Sequence, residues 1–309
     1  MRIVVALGGN ALLHRGEPMT ADNQRANVRR AAAVLADLIG HGHTLIITHG
    51  NGPQVGLLAL QSAASSETPF PLDVLDAESA GMIGYVLQQE LGNVLPEKLL
   101  ATLLTQVKVD PRDPAFVNPT KPIGPVYDEA TARKLATERG WKIAPDNDKW
   151  RRVVASPKPL QILEAQVLSF LVERGVIVIC VGGGGIPVIE VPGGGFAGVE
   201  AVIDKDLASS LLARQLQADM LLMLTDVEAV YLGWGTARLR PLRHVFTSDI
   251  SGKDFSVGSM GPKVAAATEF AEVTGKPAAI GRLEDAVSIV DGERGTLIHK
   301  RCVIKHAGQ

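Results

Sequence analysis

Hydrophobic positions along the chain alternate between two periods. A β-branched apolar run, Arg2–Leu7, stops at Gly8-Gly9-Asn10, and Val28, Ala31/Ala32, Leu35 and Leu38/Ile39 then recur at helical spacing. A second apolar run over residues 44–48 closes on Gly50-Asn51-Gly52, and residues 55–61 return to a helical pattern. A strand buried on both faces reads as a continuous apolar run, so these segments predict a βαβ unit in a parallel sheet covered by helices. The pattern predicts another helix over 78–94, carried by Ile83, Leu87, Leu91 and Val94, and a strand over 101–109. Further on it predicts a helix over 162–174 and a strand over 176–181 that runs into Gly182-Gly183-Gly184-Gly185. A helix over 205–216, a strand over 220–225, an irregular stretch to 255, a helix over 262–274 and a strand over 277–280 complete the α/β order.

Residues 110–159 break this order. Eight of the 18 prolines fall there, and residues 141–154 alternate around Asp146-Asn147-Asp148 in the manner of a hairpin. This stretch reads as an inserted flap within the first of two halves, 1–191 and 192–309, whose crevice is the expected site.

Composition narrows the function classes. With 309 residues, 46% of them apolar, the chain is long enough for a sizeable core and unlike a disordered or collagenous sequence. The net charge of −2, without a polybasic block and with sparse aromatics, gives no support to a nucleic-acid or anionic-membrane surface. No apolar run approaches the roughly 18 residues that span a bilayer, and the N-terminus enters a strand directly, so a cytoplasmic location is expected. Two cysteines, Cys180 and Cys302, fit buried, inert thiols in a reducing compartment.

Three glycine-rich turns each follow an expected strand: Gly8-Gly9-Asn10, Gly50-Asn51-Gly52-Pro53 and Gly182 to Gly185. Glycine lets the backbone approach a phosphate and aim N–H groups at it, and a following helix adds the positive end of its dipole. One such turn is ordinarily just a tight connection; three at the carboxyl ends of strands favour a polyphosphate site. The sequence contains no G-x-x-x-x-G-K-[ST] loop, and Gly193-x-Gly195-x-x-Gly198 has neither a long buried strand before it nor an amphipathic helix after it, so that match reads as coincidental. Lys205 stands at an expected helix start, with Asp204 as N-cap and Asp206 complementing the dipole; taken alone it is a solvated first-turn residue. Lys263 follows Pro262 at another helix start, and Lys121 sits in a proline-rich turn. The seven histidines show no ligand spacing for zinc, and His49 is expected to orient its loop by a hydrogen bond.

The stretches Val4 to Leu12 (VVALGGNAL), Thr48 to Gly56 (THGNGPQVG) and Ala201 to Ala208 (AVIDKDLA) resemble the carbamate kinases. The likeness continues through PLDV at 71–74, GMIGY at 81–85, NPTKPIGP at 118–125, RRVVAS at 151–156, LTDVEAVY at 224–231 and GSMGPKV at 258–264. The glycine loops alone point to the broader amino-acid kinase fold; the proline-rich flap and GSMGPK point to carbamate kinases within it. This chain departs from the pattern at 75–80, which reads LDAESA where CGAMSQ is expected, and at Ala155, where a proline is expected.

The resemblance implies an open, mainly parallel αβα sandwich and a phosphotransferase with a carboxyl-type acceptor. It implies reversible transfer between ATP and carbamate, with ATP/ADP and Mg²⁺ held mainly through the nucleotide phosphates. It further implies a homodimer acting on carbamate or carbamoyl phosphate, with the acceptor on the 1–191 side and the nucleotide on the 192–309 side. Phosphate and substrate positions map onto Gly8, Gly9, Asn10, Gly50, Asn51 and Gly52, and charged catalytic positions onto Lys121, Lys205, Lys263 and Asp204. Asp226, Tyr231 and Met260 fall at the nucleotide pocket. In this reading Lys205 and Lys263 stabilise the transferring phosphoryl oxygens, Lys121 reaches in from the flap, and Asp204 steadies the lysines. A carbamate oxygen is already anionic at neutral pH, so no general base is required. An enzyme of the same fold with another small carboxylate or phosphorylated acceptor, or a non-catalytic nucleotide-binding relative, would share the glycine loops.

Overall fold

The computed structural model describes residues 1–9, 12–13, 16–65, 69–236, 238–250, 253, 255 and 260–301. Asn10, Gly258, Ser259 and Cys302 lie outside the described residues. Among those described, the largest sheet has eight strands, in the order His244–Phe246, Thr296–His299, Ala278–Arg282, Met220–Thr225, Arg2–Leu7, Thr44–His49, Ile177–Ile179 and Leu100–Thr102. Six run parallel; Thr296–His299 pairs antiparallel with Ala278–Arg282 and carries His244–Phe246 parallel to itself at the edge.

Alternation along these strands splits the core into two layers. Val4, Ala6, Ile46, Val178, Leu221 and Met223 face the helices Ala165–Glu173, Lys205–Gln215 and Met260–Thr274, whose Leu168, Leu212 and Phe270 are buried there. Ile3, Val5, Leu7, Ile47, Leu222 and Leu224 face the helices Ala21–Gly40 and Leu72–Val94 on the other side, against Leu35, Leu87 and Leu91. Every central strand is thus buried on both faces, which explains its unbroken apolar sequence.

Four boundaries differ from the expected ones. The apolar run at 101–109 forms two strands in different sheets, Leu100–Thr102 and Gln106–Lys108. Thr105 separates them: its hydroxyl donates to Leu103 O and accepts from Val181 N, drawing the chain out of the main sheet. The helix expected from 78 begins at Leu72, whose N–H is capped from far along the chain by Glu200 Oε1 at 2.9 Å. Gln161–Ile162 is a strand and the following helix is Ala165–Glu173. The expected irregular stretch before 255 contains the short antiparallel pair Val230–Leu232 and Arg240–Leu242 and the edge strand His244–Phe246.

The flap is a separate three-stranded antiparallel sheet, Lys121–Tyr127, Lys149–Val154 and Lys142–Asp146, with the helix Glu129–Arg139 inserted in it. Its hairpin turns at Asn147, with φ of 56°, and Asp148, as the Asp-Asn-Asp sequence implied. A small apolar cluster of Val55, Leu72, Leu75, Ile123, Val154 and Val202 fastens it to the body. Its docking depends on glycine: a Cβ on Gly56 would stand 2.0 Å from Gly124 Cα, so any side chain at 56 would drive the helix Gly52–Ser65 from the flap. At the flap's root, Val202 N donates to Ala155 O. Only the carbonyl of residue 155 serves in that bond, which a proline would also provide. Gly193, Gly195 and Gly198 lie in a hairpin between Ile186–Glu190 and Phe196–Gly198, with no helix opening on it.

Candidate functional site

The parallel register sets Leu7 opposite both His49 and Leu224, so three central strands end level. Their loops meet there. A Cβ on Gly50 would lie 3.7 Å from Gly9 N and 3.9 Å from Lys205 Cδ, which places the first two glycine loops and the lysine stem in van der Waals contact. Gly8 N donates to Leu224 O at 2.8 Å, and Gly52 opens the helix Gly52–Ser65.

Lys205 is delivered by the helix Lys205–Gln215. Asp204 caps that helix, accepting from the N–H groups of Asp206 and Leu207, which would otherwise lack partners. Thr48 Oγ1 and Ser209 Oγ stand 2.7 Å apart, and Ser209 Oγ donates to Lys205 O, pinning the first turn to the strand Thr44–His49. The second oxygen of Asp204 accepts from Lys121 Nζ at 2.6 Å, joining the flap to the body across the site.

Asp206 holds the other two lysines. Its Oδ1 is 2.9 Å from Lys205 Nζ and its Oδ2 accepts from Lys263 Nζ at 2.9 Å. All three groups are buried, with side-chain exposures of 5% for Asp206, 10% for Lys205 and 13% for Lys263. The expected task of Asp204 is therefore divided: Asp204 engages Lys121, and Asp206 engages Lys205 and Lys263. Burial works against the Asp206 anion, but the two ammoniums outweigh it and hold its carboxyl well below the usual range. Burial lowers the Lys205 pKa, and Lys263 adds to the effect. Burial opposes the charge on Lys263 too, but Asp206, Asp204 and Asp226 more than offset it and raise its pKa.

The Lys205 ammonium is buried and out of hydrogen-bond alignment with Asp206. A buried ammonium with unused donors is costly, and phosphoryl oxygens are acceptors of the kind it lacks. Three ammoniums are thus gathered at the meeting point of the glycine loops, two of them in direct contact with Asp206 and one with Asp204.

The second and third glycine loops pack against each other. Asn51, 3% exposed, turns Nδ2 toward Asp76 Oδ1 and Ser79 Oγ, each at 2.8 Å. A Cβ on Gly183, whose φ is +70°, would fall 2.2 Å from that Nδ2. The Gly182 to Gly185 loop is wholly buried and leads into a strand instead of a helix. Its glycines allow close packing behind Asn51 and do not open a second helix N-terminus. Cys180, just before it, is buried, and burial pushes its thiol up.

His49 is 1% exposed and lies with Nδ1 3.1 Å from Gly50 O, the loop-orienting contact expected of it. Burial, with the nearby Lys205 charge, lowers its pKa to about 4. Between the ordinary value of 6.5 and about 4 the unfolded chain binds a proton that the folded protein does not, so this group's contribution is complete above 6.5 and is lost as pH falls toward 4. The full linkage amounts to roughly 3 kcal/mol. Wild-type Tm is expected to drop more steeply from pH 6.5 to 4 than that of His49→Gln. Parallel Tm–pH lines would contradict this; other titrating groups, shared by both proteins, cancel from the difference.

The residues expected at the nucleotide, Asp226, Tyr231 and Met260, come from three separate segments of the 192–309 half. Asp226 directly follows the strand Met220–Thr225, accepts from Thr225 Oγ1 at 3.1 Å, and its charge reaches Lys263. Met260 opens the helix that carries Lys263 and packs on the core. Tyr231 lies in Val230–Leu232, where its hydroxyl donates to Glu228 and its ring meets Trp234 edge-on at 5.7 Å. Among the described residues no group of three or more His, Cys, Asp or Glu is placed to hold a metal ion. Among the described residues no helix is long and apolar enough to cross a membrane.

Asp206, Ser209 and Asp76 were missed by sequence reasoning. Two lysines destined for one pocket require a counter-ion, and Asp206 adjoins Lys205 in sequence, as Asp204 does; reading it only as a dipole complement concealed that role. Asp76 lay within the departing stretch LDAESA, which did not reveal its contact with Asn51, and Ser209 gave no comparable signal.

Similarity to known proteins agrees with this arrangement. The sequence model of the amino acid kinase family matches residues 1–282. The chain is 57% identical over 303 residues to a carbamate kinase of Haemophilus influenzae, covering 97% of each chain. A carbamate kinase structure from Giardia lamblia bound to citric acid superimposes with a TM-score of 0.91 at 42% identity, covering 97% of this chain and 98% of that one. The same enzyme bound to AMP-PNP gives 0.88 at 42% identity, with the same coverage. With its glycine loops, buried lysines and flap on this scaffold, the chain belongs to the amino acid kinase family and, within it, to the carbamate kinases.

Proposed function

We propose that the protein transfers a phosphoryl group reversibly between ATP and carbamate, in the cleft where Lys205, Lys263 and Lys121 meet the first two glycine loops. The observation that carries this reading is the buried Lys205–Asp206–Lys263 array, with its unaligned ammonium beside Gly50. In the direction of ATP use, an anionic carbamate oxygen attacks the γ-phosphorus, the new P–O bond forms in line with the one that breaks, and ADP leaves. No proton is moved, consistent with a site whose one buried histidine is held neutral. In the other direction a terminal oxygen of ADP attacks the phosphorus of carbamoyl phosphate and carbamate leaves.

The protein's work is then positioning and charge cancellation. The loop residues Gly8, Gly9, Gly50, Asn51 and Gly52 receive the acceptor and the transferred phosphoryl on the 1–191 side, with the N–H groups of Gly8 and Gly50 tied back to Leu224 O and Leu7 O so that they shape the loops instead of donating to the ligand; Asn10 is assigned to the same set by its sequence position. Lys205 and Lys263 meet the equatorial oxygens. Lys121 completes the enclosure from the flap, with Asp204 as its partner while the flap is docked. Asp226, Tyr231 and Met260 contact the nucleotide on the 192–309 side. Asp204 and Asp206 already engage lysines, a donor set that suits Mg²⁺ carried on nucleotide phosphates and water in place of a protein cage. When bound, Mg²⁺ screens the phosphate charge. A homodimer belongs to this reading, supported by the exposed apolar stripe Val74, Met82 and Tyr85 on the helix Leu72–Val94. The cytoplasm is its proposed location.

Purified protein mixed with ADP, Mg²⁺ and carbamoyl phosphate is expected to form ATP, and to stop when the metal is chelated. ADP binding without ATP formation from carbamoyl phosphate would instead direct the search to other acyl phosphates, and would reject carbamate as the acceptor.

A further inference from the structure

The helix Leu72–Val94 brings to the site a carboxyl that the mechanism above does not use. Asp76 is 1% exposed. Its Oδ1 accepts from Asn51 Nδ2, the same Nδ2 donates to Ser79 Oγ, and Ser79 Oγ in turn donates to Asp76 O at 2.9 Å. Both hydrogens of the Asn51 amide are thereby directed into the protein, while Gly183 packs against the amide from the adjoining loop and leaves no room for it to move. The second Asp76 oxygen, Oδ2, is buried without a hydrogen-bond partner.

We propose that Asp76 is a positioning residue for the acceptor: with Ser79 it fixes the Asn51 amide, and so the conformation of the Gly50-Asn51-Gly52 loop that receives a small carboxylate-type acceptor. This rests on the reading that the loop binds that acceptor. It adds a determinant of acceptor affinity that acts through Asn51 without touching the reacting atoms.

Burial disfavours the charged form of Asp76. Burial raises its pKa well above the carboxylate range, opposed by the Asn51 hydrogen bond. Asp73 on the same helix and Glu200 before the Asp204 turn push it further up, while Lys121 on the flap pulls it down. His49, at the end of the neighbouring strand, adds no charge at neutral pH. Ionisation of Asp76 would place a buried negative charge beside the loop and repel an anionic acceptor, so the affinity for that acceptor should fall as pH rises through its titration. The proton would leave from Oδ2, because Oδ1 is the hydrogen-bond acceptor.

The test measures KM for carbamoyl phosphate and for ADP, together with kcat, from pH 6 to pH 10. Loss of one buried hydrogen bond corresponds to a KM for carbamoyl phosphate raised roughly tenfold in Asp76→Ala. In the same variant kcat and the KM for ADP should stay within about twofold of wild type. Asp76→Asn keeps the acceptor oxygen and cannot ionise, so it should restore the KM at pH 7 and remove the rise with pH expected of wild type. An unchanged KM for carbamoyl phosphate in folded Asp76→Ala, or parallel rises for both substrates, overturns the proposal. Should Asp76→Ala fail to fold, a rise with pH that persists in Asp76→Asn overturns it equally. Asn51→Ala separates the two levels: if it leaves the KM for carbamoyl phosphate untouched, the reading of the loop fails and the proposal with it. If Asn51→Ala raises that KM and the Asp76 variants do not, the positioning role alone is wrong.

Discussion

Lys205→Ala is expected to lower kcat by roughly 10³-fold while leaving the fold intact. The magnitude follows from electrostatics: a unit charge about 4 Å from another contributes on the order of 4 kcal/mol at an effective dielectric constant near 20. Each 1.36 kcal/mol or so of barrier is about tenfold in rate, so removing that stabilisation gives the stated loss. The effect belongs in kcat and not only in KM, because charge on the transferred group is redistributed in the transition state. Thermal melting and ADP titration of the variant provide the controls. The lysine side chain ends in a buried ammonium whose burial is costly, so its removal need not destabilise the protein. A variant that melts normally and turns over within a few-fold of wild type would remove Lys205 from the chemistry.

Asp206→Asn is expected to damage both activity and stability. It removes the only carboxylate in direct contact with the Lys205 and Lys263 ammoniums among the described ion pairs, leaving two buried like charges to repel each other. Breaking a buried ionic group by deleting one member typically costs about 3–5 kcal/mol. At roughly 2–4 °C per kcal/mol for a protein of this size, Tm should fall by about 6–20 °C. The catalytic signature is more specific. Asp206 supports the charged form of Lys205 against burial, so its loss lowers the Lys205 pKa further. The alkaline limb of the kcat profile should therefore move to lower pH. A fall in Tm without movement of that limb would make Asp206 a structural residue alone.

These two residues illustrate what was legible in the sequence. Both layers of the fold could be read, because strands such as Arg2–Leu7 and Met220–Thr225 are buried on each face and carry unbroken apolar runs. The flap declared itself through its prolines and the Asp146-Asn147-Asp148 turn. The start of the helix Leu72–Val94 did not, because its cap comes from Glu200, 128 positions away. Lys205 and Lys121 were recognised from the motifs around them, and the capping role of Asp204 was apparent from its place before a helix. The convergence of Lys205 and Lys263 on Asp206 was hidden, since 57 residues separate Lys263 from that acid and only the pairing of two helices brings them together. Asp76 was visible as a departure within LDAESA, but its burial against Asn51 depends on how the second glycine loop meets a helix that follows it. Gly182 to Gly185 was readable as a special turn; that it packs behind Asn51 instead of opening a helix was not, because a glycine run has the same composition in either use.

The central claim is that Asp206 acts on phosphoryl transfer through the two lysines it holds. Single-turnover ATP formation from carbamoyl phosphate and ADP, measured for wild type, Asp206→Asn, Lys205→Ala/Lys263→Ala and the triple variant, tests this most directly. The account predicts strong non-additivity: once both lysines are gone, the further Asp206→Asn change should cost less than about threefold. A full additional loss in the triple variant, equal to that of Asp206→Asn alone, would contradict it.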